Sequence, residues 1–355
     1  MTVKLRDIAT RLNLSPSLVS GVLNDRPGIW ASEETRRRIR RTARELGYRP
    51  NAAARALRIG KTHTVALVYL DSAALGHVHP GLVVDELARY LGSCGYELLI
   101  KVCADQERLL TSLEELVFTQ TCDAVILWGR EADVQQQGRI LEELGMPFVI
   151  KGRHEEQYPH WPQVDFDHEG MMAIAVSHLA SLGHRRIAYV GYASEELYCL
   201  RLLEGYYAAH QKLFGAEPPA GFVFAAPDHV EIVRAKMLDW LALPPPQQPT
   251  AAVIGAGNAA WQGIELALAT VGRRIGSGAG EFAVAGESHQ NMQLLFGNGY
   301  TFERVELTDL AHVMARQLLW PLLAGQPLEK TVLRVLPTLR QVESLQLLNY
   351  VSFCP

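Results

Sequence analysis

The chain has 355 residues, more than a usual single domain, and its 48% hydrophobic and 20% charged residues exclude a disordered or fibrous protein. No apolar run approaches the ~20 residues needed to span a bilayer. The opening residues, MTVKLRDIATRL, place charges where a secretion signal needs its apolar core, and the five cysteines have no paired spacing. We therefore expect a cytoplasmic protein with reduced thiols and no membrane contact.

Charge is divided unevenly along the chain. The formal net charge is −4, but residues 1–61 contain 14 lysines and arginines and only 5 acidic residues, a balance of +9, which leaves −13 for the remainder. A small basic segment on an acidic body is typical of a polyanion-binding module joined to a part that does not touch the polyanion. A solvated basic surface is the alternative.

Three short helices are predicted in the basic segment. Apolar residues at spacings of three and four predict the first helix over 5–12. Ser15 and Pro16 form an N-cap and a first helical residue, which start a second helix after a very short turn. Ser32 caps a third, arginine-rich helix, and Gly47 stands at its C-terminal cap position. Two helices joined so tightly cross steeply, which indicates a helix-turn-helix whose second helix enters the major groove of DNA.

The predicted outward face of the second helix carries only small residues: Ser17, Ser20, Gly21 and Asn24. Glycine inside a helix costs roughly 0.5 to 1 kcal/mol relative to alanine, so position 21 is not chosen for helix stability. Two interpretations remain open. Either the backbone approaches the bases closely and the small polar side chains read them, or base reading is weak and the linker, DNA shape and half-site spacing set specificity, which we favour.

The segments VKLRDIATRLNLSPSLVSGVLN and SEETRRRIRRTARELGYRPNAAARALRIGKT resemble the DNA-binding segment of the lactose/galactose repressor (LacI/GalR) family. In that family a large side chain, often arginine, occupies the position of Gly21. The stretch after Pro-Asn folds into a hinge helix on operator DNA, and its leucine wedges into the minor groove. The resemblance implies that Asn51 caps this helix and that Leu57 is the wedge, which would kink the duplex. An ordinary linker helix over 52–57 is the alternative.

The pattern and the resemblance together give a set of expected DNA contacts, partly in the helix-turn-helix and partly in the hinge. They are Leu5, Ser15, Pro16, Ser17, Ser20, Gly21, Asn24, Thr35, Asn51, Ala54, Arg55, Leu57 and Arg58.

Beyond residue 61, short apolar runs alternate with helical segments. Strands are predicted at 65–70, 98–102, 124–127, 148–150, 187–190, 251–254 and 282–285, with helices such as 82–91, 109–118, 171–182 and 263–271 between them. This alternation is typical of parallel sheets with crossover helices, and a chain of this length forms two such lobes. The cleft at the strand ends is where a small ligand binds.

The expected fold class is an N-terminal all-α helix-turn-helix domain plus an α/β, periplasmic-binding-protein-like core of two doubly wound parallel-sheet lobes. Expected boundaries are 1–48 for the DNA-binding domain, 49–62 for the hinge helix and linker, 63–345 for the effector-binding and dimerisation core, and 346–355 for a C-terminal tail without heptads. The chain is expected to cross between lobes near 162–168 and again near 290–330. The resemblance implies a homodimer that binds a near-palindromic operator.

The resemblance continues more weakly in VSHLASLGHRRIAYVGY, LEGYYAAH, AAVIGAGNAAWQGIELALATVG and LPTLRQVES, the last of which looks like the family's terminal strand. Family members sense a small effector, often a sugar or nucleobase, but the residues that usually grip it are replaced here by Leu202, Gly257-Asn258 and Ser288. A standard monosaccharide is therefore not expected. An atypical ligand and a core that is only a dimer scaffold both remain open. The candidate effector residues are His79, Asp167, His168, Arg201, Asn258, Trp261 and Ser288.

Two rival functions are weaker. Gly255-x-Gly257-x-x-Ala260 follows a predicted strand, and Glu287 ends the next one, which imitates the fingerprint of an NAD(P)-dependent enzyme, although such a fingerprint normally opens its domain. An exported solute-binding protein would need a secretion signal. His77 and His79 lack a third ligand, so we expect no metal. The sequence thus predicts a DNA-binding transcriptional repressor without enzyme activity or cofactor.

Overall fold

The computed structural model describes residues 3–24, 28–48, 56, 59–69, 78–129, 131–154, 157–194, 196–255, 257–276, 278, 280–287, 301–306, 310–336 and 338–343. The chain divides into two compact units, Met1–His63 and Thr64–Pro355, and each is described by itself below. The division falls one residue beyond the predicted linker. Among the described helices, none combines the length and the apolarity that crossing a bilayer requires.

The first unit is built from the three predicted helices, α1 (Leu5–Leu12), α2 (Pro16–Leu23) and α3 (Glu33–Glu45). Asn13 adopts a left-handed conformation (φ 52°) and ends α1, and the Ser15 hydroxyl accepts a hydrogen bond from the Leu18 amide at 3.2 Å to begin α2. Ser32 caps α3 in the same way. A small core holds the helices together: Ile8, Ala9, Val19, Val22, Ile39 and Ala43.

The described strands of the second unit are β1 (Thr64–Tyr69), β2 (Glu97–Val102), β3 (Ala124–Trp128), β4 (Phe148–Lys151), β5 (Gln163–Phe166), β6 (Ile187–Tyr192), β7 (Val223–Ala226), β8 (Ala251–Ile254), β9 (Ala283–Glu287), β10 (Thr301–Glu306), β11 (Val332–Val335) and β12 (Thr338–Glu343). They form two sheets, one of order β11-β5-β4-β3-β1-β2 and one of order β12-β10-β9-β8-β6-β7. All neighbours pair in parallel except β10 and β12, which are antiparallel.

The helices between these strands are α4 (Val78–Ser93), α5 (Gln106–Phe118), α6 (Glu131–Glu143), α7 (His168–Ser181), α8 (Leu197–Phe214), α9 (Val230–Ala242) and α10 (Asn258–Thr270). A last helical stretch runs from α11 (Leu310–Met314) through a π-helical turn (Ala315–Leu319) into α12 (Trp320–Leu323). Apolar side chains cover both faces of both sheets, as the continuous apolar strands predict. The predicted two-lobed α/β core is confirmed.

In the part of the chain that the structure describes, three crossings between the lobes are seen, where the sequence predicted two. The chain leaves the first sheet after β5, returns between β10 and α11, and crosses again between β11 and β12. The apolar-run pattern predicts no strand at the third crossing, because the short strands there alternate apolar with polar or charged residues. Only the resemblance of LPTLRQVES to the family's terminal strand indicates β12. After the first crossing, α7 packs closely against α8. A Cβ built on Gly205 of α8 would lie 2.6 Å from the Glu169 Cα of α7. This close approach places Glu169 beside α8.

Candidate functional site

The exposed face of α2 begins at its N-terminus. Ser15, Pro16 and Ser17 are exposed, while Ser20 and Asn24 are partly exposed. The Asn24 amide nitrogen donates to the Ser20 carbonyl at 2.7 Å, so this side chain is engaged with its own helix. The face is low in relief, which allows close approach of the helix to another surface.

Gly21 does not belong to this face, and the prediction that it points outward is wrong. It is buried, and a Cβ built on it would lie 2.5 Å from both Cδ1 and Cγ1 of Ile29, a residue of the loop between α2 and α3. Ile29 also packs against the core of the first unit. The glycine at position 21 therefore lets Ile29 cover the flank of α2, a tertiary contact that helical periodicity does not reveal.

Arg36 and the start of α3 hold this loop in place. The Arg36 guanidinium donates from Nη2 to the Ile29 carbonyl at 2.8 Å and from Nε to the Ala31 carbonyl at 3.4 Å. Thr35 is partly buried, and its hydroxyl lies 2.9 Å from that of Ser32. Around them the basic residues of α3 are exposed to solvent: Arg37, Arg38, Arg40, Arg41 and Arg44.

The remaining predicted DNA contacts are divided between described and undescribed residues. Leu5 is partly buried and packs against the core of the first unit. The hinge predictions for Asn51, Ala54, Arg55, Leu57 and Arg58 lie outside the described residues. Of the neighbouring described ones, Gly60 donates its amide to the Ala56 carbonyl at 2.7 Å, a hydrogen bond with helical spacing.

A cavity of about 790 Å³ lies between the two lobes of the second unit. It opens at the carboxyl ends of β3, β4 and β6, where ligands of open α/β sheets bind. Its lining combines aromatic, cationic and acidic side chains: Trp128, Gly129, Gln135, Lys151, Gly152, Arg153, His154, Gln157, Asp165, Ser194, Glu196, Leu197, Tyr198 and Arg201.

Lys151, Asp165 and His168 form one buried charged cluster at this cavity. Lys151 Nζ lies 2.9 Å from Asp165 Oδ1 and 4.9 Å from the centre of the Trp128 ring, and His168 Nε2 lies 3.4 Å from Asp165 Oδ2. Burial alone would raise the pKa of Asp165, but the Lys151 ammonium and His168 hold that pKa far below its usual range. The carboxylate is therefore ionised and compensates the buried lysine.

Arg153, Glu169 and Arg201 form a second cluster that joins the lobes. Arg153 follows β4 of the first lobe and donates from Nη1 and Nη2 to the Glu169 carboxylate of the second lobe, at 2.6 and 3.2 Å. Arg201 of α8 donates to the Arg153 carbonyl at 3.1 Å, and its Nε lies 4.0 Å from Glu169. Burial opposes ionisation of Glu169, but the Arg153 hydrogen bonds and both guanidinium charges lower its pKa.

The predicted effector residues have different positions. Arg201 lines the cavity, whereas His168 lies behind Asp165, and the Asp167 carboxylate accepts a hydrogen bond from the Gly170 amide at 3.0 Å as the N-cap of α7. The prediction that Trp261 contacts an effector is wrong, because its side chain is 1% exposed and packs in the hydrophobic core of the second lobe. Ser288 and the side chains of His79 and Asn258 lie outside what the structure describes.

The sequence missed Trp128, Lys151, Arg153 and Tyr198 as cavity residues. The signal was available for Trp128 and Lys151, which directly follow predicted strands, and less directly for Arg153, which is three residues beyond one. All three lie at the edge where the strands of a parallel sheet present side chains to a ligand. Tyr198 could not be predicted in this way, because it lies on the first turn of a helix from the other lobe. Only the two-lobed arrangement brings these side chains together.

The dinucleotide fingerprint at Gly255 and Gly257 has a packing explanation. A Cβ on Gly255 would lie 2.3 Å from the hydroxyl of buried Tyr189. The Asp228 carboxylate accepts a hydrogen bond from the Ala259 amide at 2.8 Å and so occupies the N-terminus of α10, where a pyrophosphate would have to bind. A carboxylate there repels a phosphate, which removes the support for the enzyme alternative.

These two units define a class of protein: a helix-turn-helix module joined to a two-lobed α/β core with a cavity at its strand ends. Residues 4–51 match the model of bacterial regulatory proteins of the lacI family, and residues 83–306 match that of periplasmic binding proteins and the sugar binding domain of the LacI family. The chain belongs to the LacI family.

Curated relatives carry the names of transcriptional regulators. AglR of Rhizobium meliloti (strain 1021) is 32% identical over 206 residues, 58% of this chain and 57% of that protein, and MalR of Streptococcus pneumoniae serotype 4 is 29% identical over 60% of this chain and 65% of that one. These matches span less than two thirds of both relatives. RafR of Escherichia coli is 29% identical over 78% of this chain and 80% of its own.

Solved structures share the fold at lower identity. The lac repressor dimer bound to operator and the anti-inducer ONPF has a TM-score of 0.76 at 20% identity and covers 97% of this chain and 100% of its own. The complex of the transcriptional regulator CelR with cellobiose has a TM-score of 0.62 at 23% identity. The match covers 95% of this chain and 98% of that one. The predicted fold class is thereby confirmed.

The contact between Gly21 and Ile29 gives a first prediction. Gly21→Ala should lower the opening free energy of the first unit by about 1 kcal/mol, because the added Cβ must displace Ile29 from the core, and this outweighs the better helix propensity of alanine. Hydrogen exchange of the 5–45 segment in the intact chain measures that free energy.

The double variant Gly21→Ala/Ile29→Ala should lose less stability than the sum of the losses of the two single variants. Ser17→Ala, on the exposed face of the same helix, is the control and should stay within about 0.5 kcal/mol; equal effects at positions 17 and 21 would contradict the packing role.

The Lys151–Asp165 pair gives a second prediction. Asp165→Asn should lower the free energy of unfolding of the second unit by about 3 kcal/mol at pH 7, because it leaves a buried ammonium without its carboxylate, and Lys151→Met/Asp165→Asn should recover part of this loss. The pKa of Asp165 is lowered by folding, so its stabilisation is present above the usual carboxyl range and is lost as the pH falls. The difference in stability between wild type and Asp165→Asn should therefore narrow steadily as the pH falls below about 4.

Urea unfolding followed by tryptophan fluorescence tests this, since five of the six tryptophans lie in the second unit. Glu231→Gln is the control, because it removes a half-exposed partner of Arg234 and should cost less than about 1 kcal/mol at any pH. A constant difference between wild type and Asp165→Asn across the acid range would show that the Asp165 charge is not the source of its stabilisation.

Proposed function

We propose that this protein is a cytoplasmic transcriptional repressor that binds a near-palindromic operator as a homodimer and responds to a small molecule through its two-lobed core. The observation that carries the proposal is the junction, in one chain, of a helix-turn-helix with an arginine-covered surface and a second unit with a cavity between its lobes. Regulators named among its relatives support the same function, and nothing in the described cavity favours an enzyme over a binding protein.

Each first unit would place α2 in the major groove of one half-site. The exposed residues Ser15, Pro16 and Ser17 leave the helix free to approach the base edges, and the arginines of α3 supply contacts to phosphates. Two hinge helices, one from each protomer, would meet at the centre of the operator. There Leu57 from each would enter the minor groove and kink the duplex.

The cavity would receive a small polar effector. Trp128 and Tyr198 offer aromatic surface, and the two charged clusters provide donors and acceptors around it. The positions whose side chains usually grip an effector in this family hold Leu202, Gly257-Asn258 and Ser288 in this sequence, so we propose a ligand other than a simple monosaccharide. Since the cavity contacts both lobes, a bound effector can favour one lobe arrangement over another and so change DNA affinity.

DNA binding is tested by selection from a random duplex pool with the intact protein. We expect a near-palindromic consensus whose affinity falls steeply with salt, because phosphate contacts release counterions. Leu57→Ala should weaken binding by roughly 10-fold or more and reduce bending together, as measured by anisotropy and by circular-permutation mobility. Ile59→Ala is the neighbouring control, since Ile59 is a half-exposed apolar residue of the same segment. The proposal fails if no sequence is enriched even at low ionic strength.

Effector binding is tested by a thermal-shift screen of metabolites on the intact protein. A true effector should raise the melting temperature in proportion to its occupancy and change the affinity for the selected duplex. Arg201→Met, at the cavity wall, should abolish the shift, while Arg234→Met, whose guanidinium pairs with Glu231 outside the cavity, should leave it intact. A screen in which no polar compound stabilises the protein would favour the alternative of a ligand-independent dimer scaffold.

A further inference from the structure

We infer that Trp30 is a DNA contact beside α2, with its indole ring against the sugar-phosphate backbone. Trp30 is 96% exposed, more than any other large hydrophobic side chain in the described part of the chain. The inference rests on the proposed DNA-binding function but concerns a residue that neither helical periodicity nor the helix-turn-helix pattern assigns.

The exposure of Trp30 contrasts with the use of tryptophan elsewhere in the protein. Trp161, Trp240 and Trp261 are 1 to 3% exposed and form part of hydrophobic cores. Trp30 contributes no packing to the first unit, although an indole ring is among the largest apolar surfaces that a residue can bury. The whole indole, apolar ring and N–H alike, is therefore available to a partner.

The backbone on both sides of Trp30 is fixed. Ile29 and Ala31 pack against the core of the first unit, and their carbonyls accept the two hydrogen bonds from Arg36 at 2.8 and 3.4 Å. Trp30 is thus the outward residue of an anchored loop. Ordering this segment on binding costs little, because most of its conformational freedom is already lost in the free protein.

The loop borders the surface of α2 that would face DNA. Ile29 lies against Gly21, and Gly21 lies one helical turn from both Ser17 and Asn24 on the same helix. Ile29 therefore extends the apolar cover of α2 up to the edge of its small-residue face, and Trp30 follows Ile29 in the chain. From this edge the Trp30 indole would contact the DNA backbone that flanks the groove.

Charge and chemistry favour DNA as the occupant rather than a protein. Residues 1–61 carry a balance of +9, and the exposed arginines of α3 begin a few residues from Trp30. A polyanion is attracted to this surface, whereas a second copy of the same basic unit is repelled. An indole offers an apolar face for deoxyribose and one N–H that can donate to a phosphate oxygen. Such a contact adds affinity without reading the sequence, which suits a helix with few long side chains.

The test uses the intact protein, the duplex it selects from a random pool and a random duplex of equal length. Trp30→Ala should weaken binding to both by about the same factor, roughly tenfold, because a backbone contact carries no base information. The slope of log affinity against log salt should stay unchanged, since no charge is lost. Arg37→Ala, a nearby exposed cation, should reduce that slope by about 1. Phe118→Ala, at a 73% exposed aromatic residue of the second unit, is the matched control and should leave DNA binding unchanged.

A direct readout is the ¹⁹F NMR spectrum of the protein labelled with 5-fluorotryptophan. The resonance missing from Trp30→Phe identifies position 30, and on adding either duplex its solvent isotope shift should fall as the indole leaves water. If wild type binds neither duplex, the proposed function fails. If wild type binds DNA but Trp30→Ala binds equally well and the resonance keeps its solvent isotope shift, the inference about Trp30 is wrong. Loss of the isotope shift on concentrating the protein without DNA would assign the surface to self-association and would also overturn it.

Discussion

The ion pair between Arg153 and Glu169 is the interaction on which the arrangement of the cavity depends. Arg153 is only 3% exposed, and a buried guanidinium without its carboxylate would cost several kcal/mol, so the loop after β4 is fixed relative to α7 of the other lobe. Arg201 holds the same loop a second time, through the Arg153 carbonyl. The walls of the cavity are therefore linked before any ligand enters. A ligand alters the lobe arrangement only if it binds two arrangements with different affinity, and in this protein that difference has to include the free energy of this junction.

Most of the fold was predictable because buried parallel strands are nearly continuous apolar runs. Each of the seven predicted strands lies within or overlaps an observed one, and the helix predictions fall inside observed helices or within one or two residues of their ends. Five described strands have no counterpart among these predicted runs. Gln163–Phe166, Thr301–Glu306 and Val332–Val335 interleave apolar with polar or charged residues, and Val223–Ala226 is a very short apolar run. Thr338–Glu343 was indicated only by the resemblance of LPTLRQVES to the family's terminal strand. In Gln163–Phe166, for example, the buried Asp165 is compensated by Lys151 of another strand, whose Nζ lies 2.9 Å from Asp165 Oδ1.

The candidate site was predictable only in part, for a related reason. Arg201 was among the candidates named from the sequence, but its partner Arg153 comes from a loop of the other lobe and has no fixed spacing from it. Trp261 shows the opposite error. It was named among the effector candidates, yet it lies on the inward face of α10 and belongs to the core of the second lobe. A pattern along one helix identifies which face is buried only when the partner of that face is known.

Gly21 in the first unit is likewise explained by a tertiary contact that the helical pattern does not reveal. A glycine on a helix that approaches DNA invites an explanation in terms of what it does not read, whereas the structure shows what it accommodates, the side chain of Ile29. The same contact fixes the loop between α2 and α3, and with it the orientation of that part of the surface. Glycine at position 21 thus leaves the flank of α2 to the Ile29 side chain. The exposed face of the helix then carries only small residues, Ser15, Pro16 and Ser17, and such a face favours affinity set by shape and phosphate contacts over reading by long side chains.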